Sequence, residues 1–127
     1  MTSSSSPSPR DVVERYQAAW KGKDLDAARA QLHDDLSFQG PLDTFDNADD
    51  LIAALRRLAP VVKDVQRRKQ FVDGQDVCEI YDLVTATPAG TAAVAEWYRV
   101  RGDKIAAIRV FFDARPFAPP AGQGGPR

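Results

Sequence analysis

The sequence predicts an α+β fold: a curved antiparallel sheet wrapped around three N-terminal helices, cone-shaped and with an internal pocket. Three observations carry that expectation. Apolar residues recur at helical spacing as far as Leu58, and the period changes to that of strands from Lys63 onward. The stretch EWYRVRGDKIAAIRVFFD, residues 96–113, reads as two long strands around a turn at Gly102-Asp103, rich in bulky and β-branched residues. A lone hairpin does not persist in water, so it needs further strands or a helix against it, and the upstream chain supplies both. Long strands accumulate right-handed twist and curl, and helices on the concave side of a curled sheet leave a pocket between the two.

In chain order, Ser8 is the expected N-cap of the first helix, with Pro9 at its first position and Asp11 in its first turn. Val12, Val13, Tyr16, Ala19 and Trp20 make its apolar face, and Lys21-Gly22 ends it. Asp24 caps a second helix with Leu25, Ala28 and Leu32 on its apolar face. Leu36-Ser37-Phe38 reads as a short strand running into a turn at Gly40-Pro41, followed by a loop through Thr44. Asn47 and Asp50 open a third helix, Leu51, Ile52, Leu55 and Leu58 form its buried stripe, and Pro60 stops it. Strands are expected at roughly 63–72, 77–86, 91–101 and 104–113, joined by turns at Asp73-Gly74-Gln75, Thr87-Pro88-Ala89-Gly90 and Gly102-Asp103. The Ser/Pro-rich residues 1–8 and the segment 117–127 read as disordered tails around a domain at 9–116.

Bulk composition narrows the function. A chain of 127 residues with 43% hydrophobic and 28% charged residues suits one globular domain. A net charge of -1 exerts no general pull on nucleic acid or an acidic membrane. The one basic run, Gln66-Arg67-Arg68-Lys69-Gln70, alternates between strand faces and lacks a stacking platform, so no nucleic-acid partner is expected. No apolar run reaches the ~20 residues of a membrane span, so no membrane partner is expected either. The N-terminus lacks the basic and apolar regions of a secretory signal, and the single Cys78 fits a cytoplasmic protein. With His33 as the only histidine and Cys78 as the only cysteine, no metal or other cofactor is expected.

Three segments resemble the SnoaL-like proteins of the nuclear-transport-factor-two-like superfamily, over about residues 10–116. VVERYQAAWKGKDLDAARAQLHDDLSFQGP is similar to the opening of the bacterial ketosteroid isomerases. FVDGQDVCEIYDLVTATPAG resembles the central hairpin of SnoaL-like proteins, and EWYRVRGDKIAAIRVFFD resembles their closing hairpin. The superfamily includes isomerases, epoxide hydrolases, polyketide cyclases and non-catalytic binding domains. The resemblance implies an apolar pocket for a hydrophobic carbonyl or ring compound, cofactor-independent proton transfer, and a homodimer formed through the outer sheet face. It places Tyr16 where the isomerases hold the tyrosine that bonds the substrate oxyanion, and Glu96 where they hold a second, protonated acid. Their general base falls on Gly40. Asp82 matches one aspartate of the epoxide hydrolases, while Ile80 and Val110 replace their arginine and their other aspartate. Val110 also stands where SnoaL-type cyclases carry a catalytic acid.

Asp82, Glu96 and Tyr16 are therefore the candidate catalytic residues, with Trp20, Phe38, Leu55, Ile80, Val94, Tyr98, Ile108, Val110 and Phe112 as pocket lining. Each has a structural alternative. Asp82 would be partly desolvated if Ile80, Asp82 and Val84 face the cavity, or paired with Arg67 or Arg68 if they do not. Glu96 depends on register. A two-residue turn pairing Arg101 with Lys104 sets it beside Arg109, whereas a three-residue turn with a bulge sets it beside Ile108 on the cavity face. Tyr16 and Trp20 serve either as core or as lining. His33 reads as helix-terminal and Cys78 as a small buried apolar residue. The alternative function is a non-catalytic module that binds a hydrophobic ligand or dimerises, with Trp97, Arg99, Ala107 and Phe111 outward.

Overall fold

The structure, a computed structural model, describes residues 7–117. The element order is α1 (Pro9–Lys21), α2 (Leu25–Ala30), β1 (Leu32–Gln39), β2 (Thr44–Phe45), α3 (Ala48–Leu58), a 3-10 turn at Ala59–Val61, β3 (Val62–Asp73), β4 (Asp76–Thr85), β5 (Thr91–Arg101), β6 (Lys104–Phe111) and a 3-10 turn at Arg115–Phe117. The expected α+β class holds: three helices pack on a curved, unclosed sheet. The six strands run in the order β2-β1-β6-β5-β4-β3. The four long strands form the expected antiparallel meander, and β1 adds itself parallel to β6, so the sheet is mixed.

The helix ends follow their sequence signals. The Ser8 hydroxyl accepts from the Asp11 amide and the Asp11 carboxylate accepts from the Ser8 amide, a reciprocal capping box. Asp24 and Asn47 cap α2 and α3 through the amides of Ala27 and Asp50. Gly22 has an ordinary φ of -79°, and the left-handed residue in this turn is Lys23 at φ 65°. Gly22 is small for another reason: a Cβ there would sit 3.2 Å from the Ala18 carbonyl oxygen.

Two expectations shift. Leu32 belongs to β1, not to the second helix, because α2 closes at Gln31 and Leu32 pairs with Ile105. His33 accordingly sits on β1, half-buried, its Nε2 at 2.7 Å from the Arg101 carbonyl oxygen. The loop before α3 contains a short strand, β2, whose Phe45 lies opposite Phe38. Of the expected tails, residues 1–6 and 118–127 lie outside the described residues. Ser8 caps α1, and Phe117 packs edge-on against Phe112 at 5.6 Å, so both belong to the fold.

The two-residue turn at Gly102-Asp103 forms as the sequence allows, with Arg101 opposite Lys104 and Gly102 at φ 67°. The register then shifts by one residue between the Arg99–Ala107 and Val100–Ile105 pairs. The extra residue is Ala106, a bulge inside β6. Ile105 and Ile108 are three apart and would face opposite ways on a regular strand, yet the bulge lets both be fully buried. Glu96 therefore lies opposite Val110, neither Arg109 nor Ile108, and it points inward. A second bulge, at Arg68 in β3, likewise brings Arg67 and Gln70, three apart, to one face, where they lie opposite Tyr81 and Glu79.

Candidate functional site

Strand alternation puts Val94, Glu96, Tyr98 and Val100 of β5 on the inner face, together with Val77, Glu79 and Tyr81 of β4. Helix α1 crosses this face with Tyr16, Gln17 and Trp20 buried against it. The result is a polar cluster enclosed by the core. Glu96, only 4% exposed, accepts on Oε1 from Tyr81 Oη at 2.7 Å and from Gln17 Nε2 at 3.4 Å. Gln17 also donates to the Tyr98 hydroxyl and accepts from Trp20 Nε1 at 2.9 Å. Every one of these partners is neutral. Burial therefore dominates, and the Glu96 carboxyl is pushed up to about 7, against the smaller opposing pull of the Tyr81, Tyr98 and Gln17 hydrogen bonds. Burial likewise holds the hydroxyls of Tyr16, Tyr81 and Tyr98 well above the ordinary tyrosine range, so all three remain proton donors.

Tyr16 differs from its neighbours. It is 1% exposed and meets Tyr98 edge-on at 5.9 Å, but its hydroxyl has no hydrogen-bond partner among the described residues. A buried tyrosine hydroxyl ordinarily finds one. Tyr16 and Glu96 both border a cavity of about 230 Å³ between the helices and the sheet. Its walls are mainly apolar: Trp20 of α1, Leu51, Leu55 and Leu58 of α3, Leu83, Val94 and Val110 of the sheet. Phe38, Gly40, Pro41, Leu42, Asp43, Phe45, Ala54, Tyr81, Ala92, Phe112 and Phe117 complete it. Among the described residues no group of three His, Cys, Asp or Glu side chains is placed to hold a metal ion.

The candidates named from the sequence separate. Tyr16 and Glu96 come together on the cavity wall, with Trp20, Phe38, Leu55, Val94, Val110 and Phe112. Tyr98 and Ile108 are fully buried but lie in the core behind that wall. Ile80 is 38% exposed on the outer face and does not line the cavity. Asp82 shares that face and forms an ion pair with Arg68, with Nε at 2.9 Å and Nη2 at 2.7 Å. The assignment of both to the pocket is corrected by strand parity: β4 turns its odd-numbered residues inward, so Ile80 and Asp82 cannot share the side of Tyr81. Arg109, offered as a partner for Glu96, instead stacks over the Trp97 ring at 5.8 Å on the outside.

Sequence reasoning missed Tyr81, Gln17 and Glu79. The first two hold Glu96 directly. Glu79 is only 1% exposed, directly opposite Glu96 across β4–β5, and bound by Arg67 and Gln70. A usable signal was present: Glu79 and Tyr81 alternate with Val77 in the same strand, so an inward Val77 forces both inward.

The comparisons agree with this architecture. A protein from Kribbella flavida superposes with a TM-score of 0.78 at 27% identity, covering 84% of this chain and 88% of that one. An NTF2-like protein of unknown function from Cytophaga hutchinsonii gives 0.78 at 25% identity, over 92% of this chain and 98% of its own. An LEH-like epoxide hydrolase from M. tuberculosis gives 0.72 at 22% identity, over 84% and 83%, a likeness of fold alone. No curated protein matches the sequence. The SnoaL-like domain model matches residues 13–108, so the chain belongs to the SnoaL-like family within the NTF2-like superfamily.

Proposed function

We propose that the cavity binds a small apolar molecule bearing a carbonyl or other oxygen acceptor, with the Tyr16 hydroxyl and the protonated Glu96 carboxyl as paired donors. The observation that carries this is the Tyr16 hydroxyl, without a hydrogen-bond partner among the described residues, on the same mainly apolar cavity wall as the buried Glu96 carboxyl. The Tyr81 and Gln17 bonds to Glu96 both fall on Oε1. A ligand oxygen meeting two neutral donors on a mainly apolar wall gains directional bonds without burying a charge. The cavity is below the roughly 300–1,000 Å³ of drug-sized sites, which favours a compact ring compound.

Binding without turnover is the function supported best. Gly40 borders the cavity where the isomerases hold a base, Val110 where the cyclases hold an acid, and Asp82 is outside it. An isomerase- or cyclase-type proton transfer is the second reading, favoured by one observation. A group that titrates near 7 can both give and accept a proton, so Glu96 itself would be the acid/base. Titrating the protein by NMR with a small cyclic ketone and its matching hydrocarbon tests the first reading. The ketone should bind at least tenfold more tightly, and Tyr16→Phe should remove most of that advantage. Equal affinity for both would sink it. Exchange of the ketone's α-protons in D2O, lost in Glu96→Gln, would favour the enzyme.

The outer sheet face supports a homodimer. Trp97 and Phe111 are 42% and 55% exposed there, near Ile80 and Phe71. A sedimentation coefficient of a monomer at tens of micromolar would count against it. No helix among the described residues is long and apolar enough to cross a membrane. The single cysteine is the support for a cytoplasmic setting.

A further inference from the structure

A second, polar chamber of about 260 Å³ lies beside the cavity, bordered by Glu14, Gln17, Lys21, Arg67, Glu79 and Tyr81. Tyr81 borders both spaces. Across β4–β5, Glu79 and Glu96 are direct partners on the inner face, 1% and 4% exposed. Like charges directly opposite on one face repel, and inside a protein that repulsion is strong. The two acids have opposite surroundings. Glu79 Oε2 accepts from Arg67 Nη1 at 3.0 Å and Gln70 Nε2 at 2.6 Å, and Glu14 holds the same guanidinium at 2.6 Å. The bulge at Arg68 makes this possible, because it brings Arg67 and Gln70 to the same face as Glu79. Glu96 faces Tyr16 and Gln17 of α1, Tyr81 and Glu79 of β4, Tyr98 of its own strand, and Val110 of β6, with no cation among them.

We infer that Glu79, held as a carboxylate by Arg67 and Gln70, is a positioning residue that keeps the proton on Glu96. Only one acid of a close buried pair ionises readily, and the guanidinium determines which. The negative charge stays in the polar chamber, and the neutral donor stays in the apolar cavity. Burial raises Glu79 as well, but its Arg67 and Gln70 bonds oppose that shift, while the Glu79 charge adds to the rise at Glu96. The inference deepens the assignment of Glu96 as a protonated donor and rests on it.

Carbon-13 NMR of the side-chain carboxyls, recorded against pH without ligand, tests it. In the wild-type protein Glu79 should ionise at clearly lower pH than Glu96. Glu79→Gln should lower the Glu96 midpoint on the order of 1 pH unit, and Glu79→Asp, which keeps the charge, should restore most of it. A purely structural role would affect both variants alike. An unchanged Glu96 midpoint in folded Glu79→Gln overturns the inference, as does Glu96 ionising first in the wild type. If Glu79→Gln does not fold, the wild-type order decides alone. Failure of the ligand assignment would appear separately, as equal binding of ketone and hydrocarbon with the carboxyl midpoints still apart.

Discussion

The two faces of strands β4 and β5 carry the same kinds of residue and treat them in opposite ways. Outside, Asp82 pairs with Arg68, Asp76 with Arg99, and Trp97 bonds Asp76 while stacking on Arg109. Inside, Glu79 is held by Arg67 and Gln70, whereas Glu96 sits among tyrosines, Gln17 and aliphatic core. Water and long flexible arginines satisfy the outer acids at little gain, since exposed ion pairs contribute ~0–1 kcal/mol. Glu96 is buried with no cation among its partners, so its protonation state answers to burial. An acid here becomes chemically unusual through its face and its partners, while its identity in the sequence is ordinary.

Breaking the inner face should have the largest effect. The unfolded Glu96 carboxyl ionises near its ordinary value of 4.5, and the folded one at about 7. Between these values the native state holds a proton that the unfolded chain has released, so this contribution is complete at low pH and is lost as pH rises through 7. The shift corresponds to roughly 3 kcal/mol of stability lost between about pH 4 and 8. Glu79, also raised by burial, acts with the same sign. Urea unfolding across that range should show the decline, and Glu96→Gln should flatten most of it. A wild-type stability that rises from pH 5 to 8 would contradict a protonated Glu96.

A smaller effect is expected at Tyr81. Its hydroxyl is the shortest bond to Glu96, and Tyr81→Phe should cost about 1 kcal/mol in urea unfolding. Because that bond favours the ionised acid, its loss should move the Glu96 midpoint upward, opposite to Glu79→Gln. A downward movement would mean that Tyr81 does not donate to Glu96. The smallest effect belongs to the outer face. Asp82→Asn should change stability by less than about 0.5 kcal/mol and leave ketone affinity unaltered. A large loss of binding in that variant would return Asp82 to the site.

Much of this comparison was legible in the sequence up to the level of elements. Ser8, Asp24 and Asn47 cap helices as their side-chain chemistry requires. The change of period at Lys63 marks the sheet, and the Gly102-Asp103 turn forms where glycine permits a positive φ. The parallel pairing of β1 with β6 was not legible, because partners so far apart in sequence leave no local signal. Nor was the site complete. Tyr16 and Glu96 were found, but Asp82 and Ile80 were placed a face away from where they lie.

Local rules thus determined the three helices, the four long strands and the turns between those strands, since caps, turns and periodicity act over a few residues. The early start of β1 at Leu32 and the short β2 lay beyond them. Only the tertiary structure decided which way the acids point. Side chains on a strand alternate, so one inserted residue reverses every orientation after it. The bulges at Arg68 and Ala106 are such insertions. They form because packing rewards burying Ile105 with Ile108 and joining Arg67 with Gln70 on Glu79, contacts that exist only once the strands have met.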